Sequence, residues 1–346
     1  MTMYGLYQPY KVNRVLSRSE KNYRLRQGTS RKVKYFNCGE SVIRMNSTYL
    51  EKVDKFYKEG GTNTYWAGMI FFGFIGVLSY VIYRGFTGLI AVHGIGKFLC
   101  AFIIFVPFIC FGGYFLFKEW FKWTHYPIRF NRKNQMVYVF RTDGTVLTVP
   151  WKDIYFTQDK DPGPLQDWCI RGHILDKDGE TVLETFSLGI CENKESLPEY
   201  WEFIRCYMEE DVVPELGQLV VVCPPIEDRK EGYLFGLQNL IYMDSRLMWV
   251  FFPFMLPLQL EASVFRYIAS QTSKIPHWPQ DVLDACQPDA NDPVNVSAAN
   301  NPQHMWQLVF ANQPYDIWKE KYDRMETATN RIHAALATKY GTKKEA

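Results

Sequence analysis

The sequence contains one glycine-rich segment of the kind that binds phosphate, but its spacing is incomplete. The segment His93–Lys97 reads HGIGK, which places a lysine directly after a glycine. The upstream glycine is missing, and Phe98 stands where a serine or threonine would bind Mg²⁺. A phosphate-binding loop is therefore not predicted.

Three carboxylates lie close together at Asp176, Asp178 and Glu180, within the turn chemistry of a β-hairpin. A turn explains this cluster better than a metal site or a catalytic pair. His125 and His173 are isolated, and we expect both to be hydrogen-bonded structural residues. The sequence contains no HExxH, GxSxG or kinase motif. We therefore predict no catalytic, metal-binding or cofactor-binding residue and no cofactor; an active site would need residues that only folding brings together.

Eight cysteines are scattered along the chain, and none forms a CxxC pair. A zinc site and a disulfide framework are both disfavoured by this spacing. We expect reduced thiols in a reducing compartment. The cysteines are Cys38, Cys100, Cys110, Cys169, Cys191, Cys206, Cys223 and Cys286.

The composition indicates a folded, mostly water-soluble protein with a small membrane part. Hydrophobic residues make up 47% of the 346 residues and charged residues 22%, which excludes global disorder. The mean hydropathy of −0.22 is too polar for a chain that lies mostly in lipid. The formal net charge of +2 gives no whole-protein argument for nucleic-acid binding.

Two uncharged apolar runs, Tyr65–Tyr83 and Phe98–Phe117, supply that membrane part. A 19-residue helix is roughly 28 Å long, close to the hydrocarbon thickness of a bilayer. Pro107 lies in the middle of the second run and predicts a kink. Neither run contains an ionisable residue, so an anchor is favoured over a transport pathway, and a buried soluble helix is the other alternative.

Aromatic and basic residues flank both runs and are predicted to anchor them at the two bilayer surfaces. Two crossings return the chain to its starting side, so the anchors before the first run and after the second share one surface. These are Tyr65, Trp66, Trp120 and Trp123, whereas Tyr83 and Arg84 mark the opposite surface.

The distribution of charge predicts the orientation of this hairpin. Residues 1–64 carry 13 Lys/Arg and 5 Asp/Glu, a net charge of +8, whereas residues 118–346 carry 24 and 32, a net charge of −8. Basic residues also follow the second run directly, and the connection between the runs is poor in charge. The positive-inside rule then places both termini in the cytoplasm, and in a bacterium the membrane is the inner membrane.

The basic arm, residues 1–64, has three interpretations. It is a topology signal and a solvated arm, or it contacts anionic lipid, or, least favoured, it binds nucleic acid. The residues predicted for lipid contact are Arg14, Arg18, Arg24, Arg26, Arg31 and Lys32.

Short alternating strands separated by turn residues follow the second run. They are predicted at 128–130, 136–141, 146–149, 151–156, 168–175 and 181–188. An amphipathic helix then begins near Ser196, where Ser196 and Glu199 suggest a capping box.

This meander and closing helix resemble a bacterial pleckstrin-homology-like domain over about 90 residues. The resemblance lies in the segments YPIRFNR (126–132), VYVF (137–140) and VPWKDI (149–154). The whole layout also resembles an uncharacterised family of two-pass bacterial proteins that tend to be encoded near type VI secretion genes. That resemblance implies an accessory or immunity role at the inner membrane, and it supplies no catalytic residue.

The apolar segment Leu247–Leu260 contains two prolines and is too short to span a bilayer. Three interpretations remain open: a re-entrant or interfacial segment, a buried core segment, and a third crossing that would place the C-terminus outside. The residues predicted for interfacial contact are Trp249, Phe251, Phe252 and Phe254.

The end of the chain is predicted to be a proline-rich loop, 275–302, and a helix over 316–340 that ends at Gly341. Six residues of this helix share one face, which packs on the protein itself or on a partner. They are Trp318, Tyr322, Met325, Thr329, Ile332 and Leu336.

The sequence thus predicts an α+β membrane protein: a two-helix transmembrane hairpin, a pleckstrin-homology-like β-meander with a closing helix, and a helical C-terminal region. The segments are 1–64, 65–117 (helices 65–83 and 98–117), 118–215, 216–275 and 276–346. The expected function is non-catalytic: an inner-membrane-anchored binding protein, as an immunity or accessory protein of type VI secretion, with a lipid- or envelope-sensing regulator as the alternative. The expected partners are the lipid bilayer and a protein, either a secreted effector or a secretion component, and nucleic acid is not expected.

Overall fold

The computed structural model describes residues 9–160, 168–191, 194–243, 252–301 and 315–341. The chain divides into two compact units. The sheet unit comprises Met1–Lys58, His125–Arg229 and Ile275–Ala346, and the helical unit comprises Glu59–Thr124 and Lys230–Lys274. The predicted α+β class is confirmed.

The strands of the sheet unit are β1 (Arg14–Val15), β2 (Arg24–Leu25), β3 (Val42–Asn46), β4 (Tyr49–Lys52), β5 (Ile128–Asn131), β6 (Met136–Phe140), β7 (Val146–Pro150), β8 (Ile154–Lys160), β9 (Trp168–Leu175), β10 (Thr181–Cys191) and β11 (Asn295–Val296). The helices along the chain are α1 (Arg18–Asn22), α2 (Phe56–Glu59), α3 (Thr62–Arg84), α4 (Ile90–Glu119), α5 (Ser196–Glu209), α6 (Val213–Leu219), α7 (Tyr233–Met243), α8 (Phe252–Thr272), α9 (Gln280–Ala285) and α10 (Tyr315–Tyr340).

A six-stranded antiparallel sheet has the order β11-β3-β4-β5-β6-β7. Its central pair joins strands that are distant in sequence, because β4 precedes α3 and β5 follows α4. Tyr49 lies opposite Asn131, and Lys52 lies opposite Ile128. The apolar helices are therefore an insertion between two neighbouring strands of one sheet.

A five-stranded sheet has the order β1-β10-β9-β8-β2. The predicted meander is present, but it is shared between the two sheets: β5–β7 belong to the first and β8–β10 to the second. The edge strands β1 and β2 come from the basic arm. The expectation of a wholly solvated arm is wrong where the arm forms strands, because Leu25, Val42 and Leu50 are fully buried in the core.

Helix α5 lies in the core of the sheet unit and is buried on nearly all sides. The rings of Trp151 and Trp201 stack with centroids 5.6 Å apart, and Phe156 lies 4.8 Å from Trp201. The "PW" motif thus places Trp151 against the helix that closes the core. The predicted capping box at Ser196 is wrong. Ser196 is the first helical residue, and the N-cap residue, Glu195, makes no side-chain capping hydrogen bond.

The C-terminal helix α10 uses only part of its predicted stripe for core packing. Ala328, Ile332 and Leu336 are buried in the main core, whereas Trp318 and Tyr322 are exposed. The helix runs to Tyr340, as expected, and Gly341 follows it with a φ of +72°.

In the helical unit, α3 and α4 form an antiparallel pair joined through a π-helical turn at Gly85–Leu89. Both helices are longer than predicted, and α4 continues through Pro107. Helices α7 and α8 pack on each other, and α8 also packs on α3.

Candidate membrane interface

Two helical stretches, Thr64–Thr87 and Leu99–Glu119, are long and apolar enough to cross a membrane, at 24 and 21 residues. In the 18-residue apolar window of each stretch only 17% is buried, whereas the core helix of a water-soluble protein is mostly buried. We call α3 and α4 the apolar pair. Its outward side chains include Met69, Phe72, Val77, Tyr80, Leu99, Ile103, Ile104 and Phe111.

Small residues bring the two helices of the apolar pair close together. A Cβ atom on Gly112 would lie 2.9 Å from the Ala67 carbonyl oxygen and 2.9 Å from the Phe71 nitrogen. Further along, the rings of Phe74 and Phe108 stack with centroids 4.8 Å apart. Close backbone approach and ring contacts are typical of helix pairs that associate in lipid.

The predicted anchors lie at the ends of the apolar pair in different environments. Tyr65 is buried, and its hydroxyl donates to Glu261 Oε2 at 3.3 Å. Trp66 is 62% exposed and Tyr83 is 63% exposed, so both side chains are accessible to the surrounding lipid or water. The guanidinium of Arg84 lies 5.9 Å from the ring of Tyr80.

At the other end of α4, Trp120 and Trp123 are half-buried. The Trp120 ring lies 6.5 Å from Phe72 of α3, which places it beside the start of the first span. Of the six predicted anchors, Tyr65 alone is buried in the protein.

Hydrogen bonds close the end of the apolar pair that carries Tyr65 and Trp120. The Glu119 carboxylate accepts from the Thr64 hydroxyl and from the backbone N–H of Gly61. Ser273, just after α8, donates to the Glu119 carbonyl oxygen at 3.1 Å. Polar contacts at the boundary of the apolar stretches therefore hold together the start of α3, the end of α4 and the end of α8.

The predicted interfacial residues are only partly within the described residues. Trp249 and Phe251 lie outside them, Phe252 begins α8, and Phe254 is 77% exposed. Strand β11, which follows α8 in the chain, pairs with β3, which precedes α3. This pairing disfavours a third crossing, because a single further crossing would put two strands of one sheet on opposite sides of a bilayer.

The six basic residues predicted to contact lipid do not form one patch of equivalent cations. Arg14 donates to both oxygens of Glu20, at 2.8 and 2.6 Å, and is neutralised there. Arg31 is half-buried and donates to the carbonyl oxygen of Arg24. The guanidinium of Arg24 also lies over the ring of Tyr155. The side chains that face solvent are Arg18, Arg24, Arg26 and Lys32.

A buried polar network around Glu20 was not foreseen. Ser17 and Glu20 form a reciprocal capping box at the start of α1. Burial raises the pKa of Glu20, but hydrogen bonds from Arg14 and Ser17 outweigh it and lower the pKa to about 2. His173 Nε2 lies 3.4 Å from Glu20, and burial lowers the pKa of His173 to about 4. The S-x-x-E spacing at Ser17 was the available sequence signal.

A second unforeseen cluster surrounds Arg205, which is fully buried on α5. It donates to Glu202 at 2.8 Å, Glu209 at 3.2 Å and Glu210 at 2.7 Å. Lys339 of α10 pairs with the other oxygen of Glu210. These charges hold the closing helix to the C-terminal helix, and the i, i+3, i+4 spacing was the available signal.

A cavity of about 280 Å³ in the sheet unit is lined in part by polar side chains that are hydrogen-bonded within the protein. Arg141 donates two 2.6 Å hydrogen bonds to Glu184. Asp54 accepts from the backbone N–H groups of Phe56 and Tyr126, and burial raises its pKa to about 6 despite these bonds. Among the described residues, no group of three or more His, Cys, Asp or Glu side chains could hold a metal ion.

A larger cavity, about 640 Å³, lies between α6, β11 and α10 and is lined by Lys321 and Arg324 among others. Beside it, three rings stack along α10. The centroids of Tyr315 and Trp318 are 6.0 Å apart, and those of Trp318 and Tyr322 are 5.3 Å apart. We call these three residues the aromatic ladder; all are exposed.

The carboxylates of the predicted turn act as expected for a hairpin. Asp178 accepts from the backbone N–H groups of Glu180 and Thr181. None of the cysteines whose side chains the structure describes is in a disulfide, and Cys100 and Cys110 are exposed on α4. The others, Cys38, Cys169, Cys206, Cys223 and Cys286, are buried.

Comparison with known proteins identifies one relationship. No curated protein and no solved structure matches the chain. The profile of a family of unknown function, DUF6708, matches residues 103–289, which is more than half of the chain and includes most of α4, the strands β5–β10 and helices α5–α9. This chain therefore belongs to the DUF6708 family.

Proposed function

We propose that this chain is a non-catalytic binding protein anchored in the bacterial inner membrane by the apolar pair. The observation that carries the proposal is the pairing of β4 with β5 on either side of that pair in sequence. Two strands of one sheet lie on one side of a membrane, so the intervening helices cross twice. Their exposed apolar surface suits the hydrocarbon of a bilayer.

The same pairing supports the proposed orientation. The basic arm supplies strands to both sheets, so its charge and the body of the protein lie on one side. The excess of Lys and Arg in residues 1–64 favours the cytoplasm for that side. Both termini are then cytoplasmic, where thiols remain reduced.

A pleckstrin-homology-like architecture is part of the proposal. Strands β4–β7 form one antiparallel meander, β8–β10 form a second, and α5 follows directly. Two meanders closed by a C-terminal helix support the likeness drawn from the YPIRFNR and VPWKDI segments. A fold of this kind does not by itself define a ligand.

The aromatic ladder is the surface best suited to a protein partner. Exposed Trp and Tyr residues dominate the binding energy of many interfaces. Lys321 and Arg324 line the adjacent cavity and favour an acidic segment of the partner. Together with the resemblance to proteins encoded near type VI secretion genes, this supports an immunity or accessory role with a secreted effector or a secretion component as partner.

The anchor is tested by washing membranes with alkaline carbonate, which leaves a spanning protein in the pellet. Release of the chain would contradict the anchor.

The partner is tested by co-purification with the products of neighbouring genes from detergent-solubilised membranes. We expect Trp318→Ala to reduce recovery at least tenfold, and Tyr35→Ala, an exposed ring outside the ladder, to leave it unchanged.

The immunity role has its own test. If deletion of the gene leaves cells as resistant as before to a neighbouring effector, immunity is wrong and an accessory role remains.

A lipid- or envelope-sensing regulator is the second candidate. The observation that favours it is the exposure of Arg18, Arg24, Arg26 and Lys32 in the sheet unit. Replacement of all four by glutamine should reduce the amount of anionic lipid that co-purifies with the full chain in detergent. An equal amount of co-purified anionic lipid before and after replacement would contradict this candidate.

A further inference from the structure

The polarity of helix α8 is the reverse of that of a helix in a water-soluble protein. Gln259, Ser263 and Arg266 are buried. On the outside, Phe254 is 77% exposed, and Leu258 and Leu260 are also exposed. A helix with polar residues inside and large apolar residues outside suits a hydrocarbon environment.

The contacts of α8 fix its direction relative to α3. The Phe265 ring lies 5.8 Å from the Tyr65 ring and covers Gly68 so closely that a Cβ atom there would lie 2.1 Å away. Glu261 accepts from the Tyr65 hydroxyl, and Arg266 donates to the carbonyl oxygen of Gly60. Because residue numbers on α8 fall as those on α3 rise, the two helices run antiparallel.

In this register Glu261 lies at the level of Tyr65. The apolar half of α8, which precedes Glu261, therefore lies on the same side of that level as the apolar stretch of α3, which follows Tyr65. Glu261 and Tyr65 mark the level at which charge and hydroxyl groups meet. Phe254 lies seven residues before Glu261, which is about 10 Å further along the helix. That distance is most of one leaflet's hydrocarbon thickness, about 15 Å.

A buried ion pair holds the opposite end of α8 at the polar level. Arg266 donates to both oxygens of Glu231, at 2.6 and 2.8 Å. Near this pair, the rings of Tyr233 at the start of α7 and Tyr267 on α8 lie 6.1 Å apart.

We propose that the N-terminal half of α8 lies in the bilayer, with its Phe254–Leu260 face in contact with lipid acyl chains. This inference rests on the proposed anchoring by the apolar pair and adds a third membrane-embedded element to it. The pairing of β11, which follows α8, with β3, which precedes α3, is consistent with α8 returning to its starting side of the bilayer. Gln259 and Ser263 are buried, and the exposed side chains among residues 253–260 are all apolar.

The test uses the full chain in cells fed alkyne-tagged fatty acids, with a benzophenone amino acid introduced at one position at a time. Phe254 and Leu258 probe the proposed face, and either position suffices if the other variant is not inserted. Phe111, an exposed ring on α4, is the control for the apolar pair, and Tyr35, an exposed ring in the sheet unit, is the aqueous control. Irradiation followed by azide–alkyne labelling reports covalent attachment of acyl chains.

We expect acyl adducts at Phe254 and Leu258 within about twofold of the yield at Phe111, and at least tenfold less at Tyr35. Adducts at Phe111 without adducts at Phe254 and Leu258 would overturn the insertion of α8 into lipid and leave the anchor standing. Absence of adducts at Phe111 would overturn the anchor itself. Equal yields at Tyr35 and Phe254 would also overturn the inference, because the contact would not be specific to this face.

Discussion

Helix α5 buries its large apolar residues, whereas helix α8 exposes several of its own. On α5, Leu197, Trp201 and Ile204 are fully buried among the strands. On α8, Phe254 and Leu258 are exposed while Gln259 and Ser263 are buried. The difference teaches that the two units bury different kinds of side chain, which is what the proposed anchoring of the helical unit in lipid requires.

The largest expected effect comes from removing a ring from the core of the sheet unit. Trp201→Ala deletes contacts with Trp151 and Phe156 and should lower the free energy of unfolding by about 3–5 kcal/mol. Urea unfolding in detergent, followed by tryptophan fluorescence, measures it. The matched control is Phe86→Ala, since Phe86 is 88% exposed. A loss of equal size in both variants would remove the distinction between the units.

Removal of a buried arginine should have a somewhat smaller and local effect. Arg205→Leu leaves Glu202 buried without its partner and should destabilise the sheet unit by about 3 kcal/mol. Arg266→Leu likewise removes the buried arginine that pairs with Glu231 in the helical unit. Hydrogen exchange should show faster exchange only in the unit that carries the change. Faster exchange in both units after either change would contradict their independence.

A glycine comparison tests close packing within the apolar pair. Gly112→Ala forces a methyl group against the Ala67 carbonyl and should destabilise the pair by about 1–3 kcal/mol. Gly76→Ala adds the same group where nothing lies within 4 Å and should be neutral. Thermal denaturation in detergent measures both. Equal effects would show that the interface of the pair is not at Gly112.

The smallest expected effect is the dependence of the sheet unit on pH, because two titrations oppose each other. The pKa of His173 falls from 6.5 to about 4 on folding, so its contribution is complete above pH 6.5 and decreases as the pH falls. The pKa of Asp54 rises from 3.8 to about 6, so its contribution is lost as the pH rises through that range.

The urea midpoint between pH 7.5 and 5 separates the two. His173→Gln should make the loss of stability towards low pH shallower, and Asp54→Asn should make it steeper. Unchanged slopes in both variants would contradict these assignments.

Local patterns predicted much of the fold. Strands β5, β6, β7, β9 and β10 follow from alternation and turn residues, and the end of α10 follows from Gly341. The pairing of β4 with β5 could not be read in this way, because the partners are separated by the whole apolar pair and their contact is set by tertiary packing. The cap at Ser17 was missed because charge dominated the interpretation of the basic arm, although the S-x-x-E spacing was present.

The candidate interface was predictable in its apolar lengths but not in its polar contacts. Tyr65 and Trp66 are neighbours in sequence, yet only Trp66 is exposed, since α8 covers Tyr65. Arg14 and Arg18 carry the same charge, yet Arg14 pairs with Glu20. Such choices depend on which side chains a fold brings together, which spacing in a single sequence does not contain.

The most direct test of the central claim is a pair of topology reporters in intact bacteria. Alkaline phosphatase, active only outside the cytoplasm, is fused after residue 90 or after residue 346, and green fluorescent protein is fused at the same positions. We predict phosphatase activity only at residue 90 and fluorescence only at residue 346. Phosphatase activity at residue 346, or fluorescence at both positions, would contradict a double crossing with the sheet unit in the cytoplasm.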